Sequence, residues 1–166
     1  MKIEFVNRLV MFLALFLVQV LILNLVHLFG VGTPLLYVYF AITFRRNTPK
    51  ALVMVWCFLL GLLIDIFSNT PGLAASVLTL VGLAQTYLLE MLVPRDSAED
   101  LESSLKTLGL GKFVTLSALL TLLYSLLFFA LEAFNFFNVL LWLVRAFVSA
   151  MLTMVLLLAV ESVRSK

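Results

Sequence analysis

The chain has 166 residues and a net charge of +2; 64% of it is hydrophobic and only 12% charged, with a mean hydropathy of +1.19. Charged residues make up about a quarter of a soluble domain, so a water-soluble globular protein is excluded, and the scattered basic residues form no stripe that would track the phosphates of a nucleic acid. A single cysteine, Cys57, rules out an internal disulfide, and with His27 as the lone histidine no metal or other cofactor site is expected.

The apolar residues come in long runs broken by short charged clusters, without the alternation a barrel needs. This pattern predicts an all-α integral membrane protein, one transmembrane domain over residues 1–166 built as a bundle of about six transmembrane helices. Lys2 and Arg8 precede the first run, Leu9 to Phe29, which lacks an A-x-A cleavage site and is read as an uncleaved span. Gly30 to Thr33 is a turn, and Thr33-Pro34 supplies a hydroxyl cap followed by proline at the first helical position. The second run, residues 34–44, rises only about 17 Å against a hydrocarbon core of about 30 Å. It is nevertheless counted as a span, because otherwise Arg45, Arg46 and Lys50 would lie opposite Lys2 and Arg8, against the positive-inside bias.

Thr48-Pro49 and Thr70-Pro71 repeat the cap signal and open the third and fourth spans, residues 51–67 and 71–93, joined by the uncharged turn Ser68-Asn69-Thr70. Residues 94–112 form a charged cytoplasmic loop, in which Leu101, Leu105 and Leu108 make an apolar stripe suited to a short helix from Ala98 to Leu108 lying on the membrane surface. The fifth and sixth spans, 113–134 and 139–160, meet at a turn around Asn135 and Asn138. Ten of the eleven basic residues then fall on one side, with both termini cytoplasmic, and only Arg145 lies inside a span.

Polar groups inside spans need a reason to be there. Asp65 ends an apolar segment, and an ionisable residue at such a place costs about 2.5–3.5 kcal/mol on insertion scales unless it is partnered. Arg145 and Glu132 are the charged groups at similar depth, so a structural polar cluster of Asp65, Arg145 and Glu132 is expected, with Arg145 paired to one of the carboxylates. The fifth span carries Ser117, Thr121, Tyr124 and Ser125 along one side, and the sixth carries Ser149 and Thr153 in register with Arg145; both sides should face inward. Gly61, one turn before Asp65, marks a close helix approach. Gly72, Ala75, Ser76, Thr79, Gly82 and Thr86 make a small-residue face for helix packing or for a partner. Asn24 and His27 read as interhelical hydrogen-bonders, with Gln19 on another face. No nucleophile, metal or phosphate motif is assembled anywhere, so an enzyme is not expected and no catalytic or metal residues are assigned.

The segment GLLIDIFSNTPGL from Gly61, running into the small-residue helix and set in a six-span chain of this length, resembles the rod shape-determining protein MreD family. The resemblance covers the whole chain. It implies a non-catalytic scaffold of the bacterial inner membrane that binds the single-span periplasmic protein MreC and other elongation-complex membrane proteins, and couples peptidoglycan synthesis to MreB filaments. The family is also similar in fold to the substrate-binding subunits of energy-coupling-factor transporters, which implies the alternative of a vitamin-binding transporter subunit.

Overall fold

The computed structural model describes residues 2–22, 34–133, 138–164 and 166. Five of its helices are long and apolar enough to cross a bilayer: α1 (Lys2–Leu21), α3 (Lys50–Ser68), α4 (Leu73–Leu92), α6 (Leu110–Ala133) and α7 (Val139–Arg164). Two more are short, α2 (Val38–Ile42) and α5 (Leu105–Leu108). The chain is thus a helical, multi-pass membrane protein. Among the described residues the backbone forms no strand, only an isolated bridge between Arg45 and Glu102.

The apolar runs become helices because in hydrocarbon a chain must satisfy its own N–H and C=O groups. α1 and α3 run parallel, since Phe5 meets Trp56 at 5.5 Å between ring centroids and Phe16 meets Phe67 at 5.4 Å. The chain therefore has to return between them, and residues 34–44 are the returning piece. This is where the expectation of a second helical span fails. Only Val38–Ile42 is helical, and every residue from Pro34 to Phe44 is buried. Eleven residues are too few to cross as a helix facing lipid, whereas irregular backbone is tolerated at this depth when protein surrounds it on all sides. The segment is the core around which the long helices are arranged, with Phe12, Leu60, Leu78 and Leu120 in the same apolar cluster.

The charged segments gather at one end of the bundle. Arg45 pairs with Glu4, Arg46 donates to the carbonyls of Pro94 and Ser97 at 3.4 Å, and Arg164 pairs with Glu102. The grouping expected from the positive-inside bias is therefore physical contact at a single basic end. The loop after α4 departs from expectation: it is no surface helix from Ala98 to Leu108 but a run of turns ending in the single-turn α5. Leu101, Leu105 and Leu108 do face one way, against the core. The Arg46 N–H to Leu101 carbonyl bond at 3.0 Å holds the loop to the bundle, not to the membrane plane.

The Thr-Pro signals also act differently from a hydroxyl cap. Pro49 precedes α3 and Gly72 precedes α4, and neither helix start has a side-chain cap from the residue preceding it. Thr33 lies outside the described residues.

Candidate functional site

At the far end of the bundle Asp65 has found its partners in backbone. Its Oδ1 accepts from the Ala74 N–H at 2.8 Å and the Thr70 hydroxyl at 2.9 Å, and its Oδ2 accepts from the Ala75 N–H at 2.9 Å. The first N–H groups of a helix have no intrahelical acceptor, and the helix dipole places partial positive charge there. A carboxylate projected from the last turn of α3 supplies both needs of α4. The turn is shaped for this: Asn69 takes the left-handed conformation at φ 56°, closing α3, and Gly72 takes φ 78°, where a side chain would be strained.

Arg145 does not join this carboxylate. It lies exposed on α7 and makes no ion pair among the described residues, and Glu132 is exposed at the end of α6. The expected cluster of Asp65, Arg145 and Glu132 is therefore corrected: helix α4 satisfies Asp65, which removes its need for a cation. The rest of the two polar sides does face inward, with Ser117, Thr121, Tyr124, Ser125, Ser149 and Thr153 all buried.

The small-residue face is spent mainly inside the fold. A Cβ at Gly61 would lie 2.5 Å from the Ala75 Cα, and one at Gly82 would lie 2.7 Å from the Cys57 Sγ. Ala75 and Gly82 lie against α3 and Thr86 is buried; Ser76 is exposed, and Gly72 belongs to the turn. Ser76 and Thr79 turn their hydroxyls back to the carbonyls of Leu73 and Ala75 at 2.9 and 2.6 Å. The face that also reads as a partner surface is thus chiefly the α3–α4 seam.

Several of the remaining buried polar groups share one task. The non-helical ends of the core segment leave backbone groups without helical partners, each expensive to bury unbonded. Gln19 on α1 donates to the Pro34 carbonyl at 3.0 Å, and the Leu35 N–H donates to the Thr153 hydroxyl of α7 at 3.0 Å. Gln85 on α4 donates to the carbonyls of Ile42 and Phe44 at 3.2 and 3.1 Å, and the Ser103 hydroxyl donates to Phe44 at 3.3 Å. Arg8 reaches the hydroxyl and carbonyl of Thr43 at 3.2 and 3.4 Å. Tyr37 and Tyr124 share a hydrogen bond, and Tyr39 donates to Glu161, whose other oxygen accepts from the Leu105 N–H at 3.0 Å. Removing the carboxamide with Gln85→Leu is expected to cost about 1–3 kcal/mol, because buried carbonyls at the end of this segment lose their donor. Thermal unfolding in detergent would show it as a lowered midpoint with the helical content of the folded state unchanged.

Below this support, at the basic end, lies a cavity of about 1,100 Å³ bordered by the first half of α1, the end of α7 and the central segment. Its walls include Val10, Leu15, Trp56 and Val160, and its charged rim includes Arg8 and Arg164. Nothing in the sequence pattern points here. Arg8 reads only as a flanking charge, and Tyr39, Glu102 and the Glu161–Arg164 pair come from three distant parts of the chain. The polar support above the cavity does leave one legible signal, since Gln85 and Glu161 sit in or beside apolar runs. Asn24 and His27 lie outside the described residues.

No family model, no curated protein and no solved structure matches the chain.

Proposed function

We propose that the protein is a non-catalytic scaffold of the MreD type, set in the bacterial inner membrane with its basic end cytoplasmic, whose work is to hold a single-span partner such as MreC beside the other membrane proteins of the elongation machinery. The observation that carries the reading is the outward face of α7. Leu141, Val144, Phe147, Val148 and Met151 are exposed there, and exposed Arg145 lies among them, six residues and roughly 9 Å of helical rise past Val139. A guanidinium there is costly to leave in hydrocarbon, up to about 2.5–3.5 kcal/mol at the centre of a span on insertion scales and less toward its end, and it is best met by a polar or acidic partner. Among the described residues no carboxylate pairs with it. A second transmembrane helix with a carboxylate at matching depth would.

The alternative is a small-molecule transporter subunit, which would bind its vitamin from the outer face. The basic-end position of the cavity favours the scaffold. A photo-crosslinking residue at Val148 in cells should capture a single-span protein with a coiled-coil segment, and Arg145→Gln should lower its recovery by about tenfold, near 1.4 kcal/mol. The same substitution should leave the unfolding free energy of the isolated protein within about 0.5 kcal/mol of the parent, as for surface positions without contacts. A clear thermal shift with one member of a vitamin panel, and no captured protein, would reject the scaffold for the transporter reading.

A further inference from the structure

We infer that the basic-end cavity is a binding site for an anionic phospholipid, with the phosphate at Arg8 and an acyl chain lying along α1. The inference does not depend on the identity of any protein partner, since it rests on charge and surface within this chain alone.

The cavity has two chemically different regions. Its rim carries Lys2, Arg8, Arg45 and Arg164 against two carboxylates, Glu4 and Glu102. Glu4 is taken by Arg45 and Glu102 by Arg164. Lys2 and Arg8 are left with no carboxylate within ion-pairing distance among the described residues. A guanidinium has five N–H donors, and the bonds of Arg8 go to a single residue, Thr43. Its plane rests over the Phe44 ring, 4.3 Å from the centroid, which fixes the group at the cavity wall. A half-buried cation with spare donors and a fixed position suits a phosphate, which accepts bidentate hydrogen bonds from arginine.

Behind the rim the walls are hydrocarbon: Val10, Met11, Leu15, Trp56 and Val160. A free phosphate or a soluble anion would leave this surface unused. At about 1,100 Å³ the cavity lies at the upper end of the roughly 300–1,000 Å³ of ordinary small-molecule sites, and room remains for an acyl chain. A ligand with an anionic head and an apolar tail matches both regions. Basic pockets between transmembrane helices are a recognised setting for lipid headgroups.

The test is native mass spectrometry of the purified full chain, delipidated and then offered phosphatidylglycerol or phosphatidylcholine at equal concentration. One phosphatidylglycerol should be retained in preference to phosphatidylcholine. Arg8→Gln should reduce that preference by about fivefold, the equivalent of about 1 kcal/mol for one basic residue at an anionic headgroup. Lys112→Gln removes the same charge from an exposed position outside the cavity and should change nothing. Ala14→Trp keeps Arg8 and fills the apolar part, so it should lower retention of the lipid as a whole; this variant decides the matter where Arg8→Gln fails to fold. Equal retention of the two lipids, equal losses in Arg8→Gln and Lys112→Gln, or full retention in Ala14→Trp would each overturn the inference. Binding of glycerol phosphate as tightly as the lipid would also overturn it, in favour of a soluble phosphate ligand.

Discussion

Asp65→Ala is expected to lower stability by about 2–4 kcal/mol, since it removes a charged acceptor from three donors at once and hydrogen bonds to charged groups contribute about 1.5–3 kcal/mol each without full additivity. The Ala74 and Ala75 N–H groups are buried, so water does not readily replace the carboxylate. Asp65→Asn should be milder, because the amide keeps one acceptor oxygen while turning its NH₂ toward a donor. Thermal or denaturant unfolding of the detergent-purified protein measures both. Exchange with Arg145 gives the sharpest contrast. If Asp65 were held by that arginine, Asp65→Arg with Arg145→Asp would restore stability lost in the single variants. The hairpin geometry predicts no rescue, and a restored midpoint in the double variant would refute the capping role.

Gly61→Ala is expected to cost about 3 kcal/mol, at the upper end for overpacking. The added Cβ would lie 2.5 Å from the Ala75 Cα and 2.7 Å from both the Ala74 carbonyl oxygen and the Ala75 nitrogen. These are backbone atoms and cannot rotate away, so α3 and α4 must separate. They include the nitrogen that donates to Asp65, so one methyl group strains the seam and the cap together. Gly82→Ala meets a side chain instead, Cys57 Sγ at 2.7 Å, with Val53 Cγ1 at 3.2 Å. Cys57→Ala removes the sulfur and should recover much of the Gly82→Ala loss, while leaving Gly61→Ala unrelieved. A double-mutant cycle on unfolding midpoints would measure this, with a coupling of about 0.5–3 kcal/mol expected for residues in contact. No coupling between positions 57 and 82 would contradict this packing.

Both variants act at a motif that is legible in the amino-acid sequence itself. The spacing of Gly61 and Asp65 ahead of a turn marks a close hairpin with a carboxylate that needs a reason, and that much is readable because glycine and an intramembrane charge are each conspicuous. The sequence points to Arg145 as the partner, wrongly, because side-chain charges show in a sequence and backbone donors do not. Every residue but proline has an N–H, so nothing in the letters distinguishes those of Ala74 and Ala75.

By itself the sequence determined the membrane class, four of the five long helices to within about four residues, and the gathering of the basic segments at one end, since each follows from local composition and hydrocarbon thickness; α1 instead starts at Lys2, seven residues before the expected Leu9, because its charged first turns continue the helix beyond the apolar run. Tertiary structure alone decided the fate of residues 34–44. An apolar stretch of that length reads the same whether it is one short spanning helix or a buried run of turns around a single helical turn, and only surrounding protein makes the second possible. The same holds for the groups that serve it. Gln19, Gln85 and Thr153 reach backbone atoms 15, 43 and 118 positions away, and hydrogen bonds to backbone carry no side-chain signature at the receiving end. The cavity at Arg8 belongs with them, because it exists only where α1, α3, the end of α7, the buried segment and the loop at Glu102 meet.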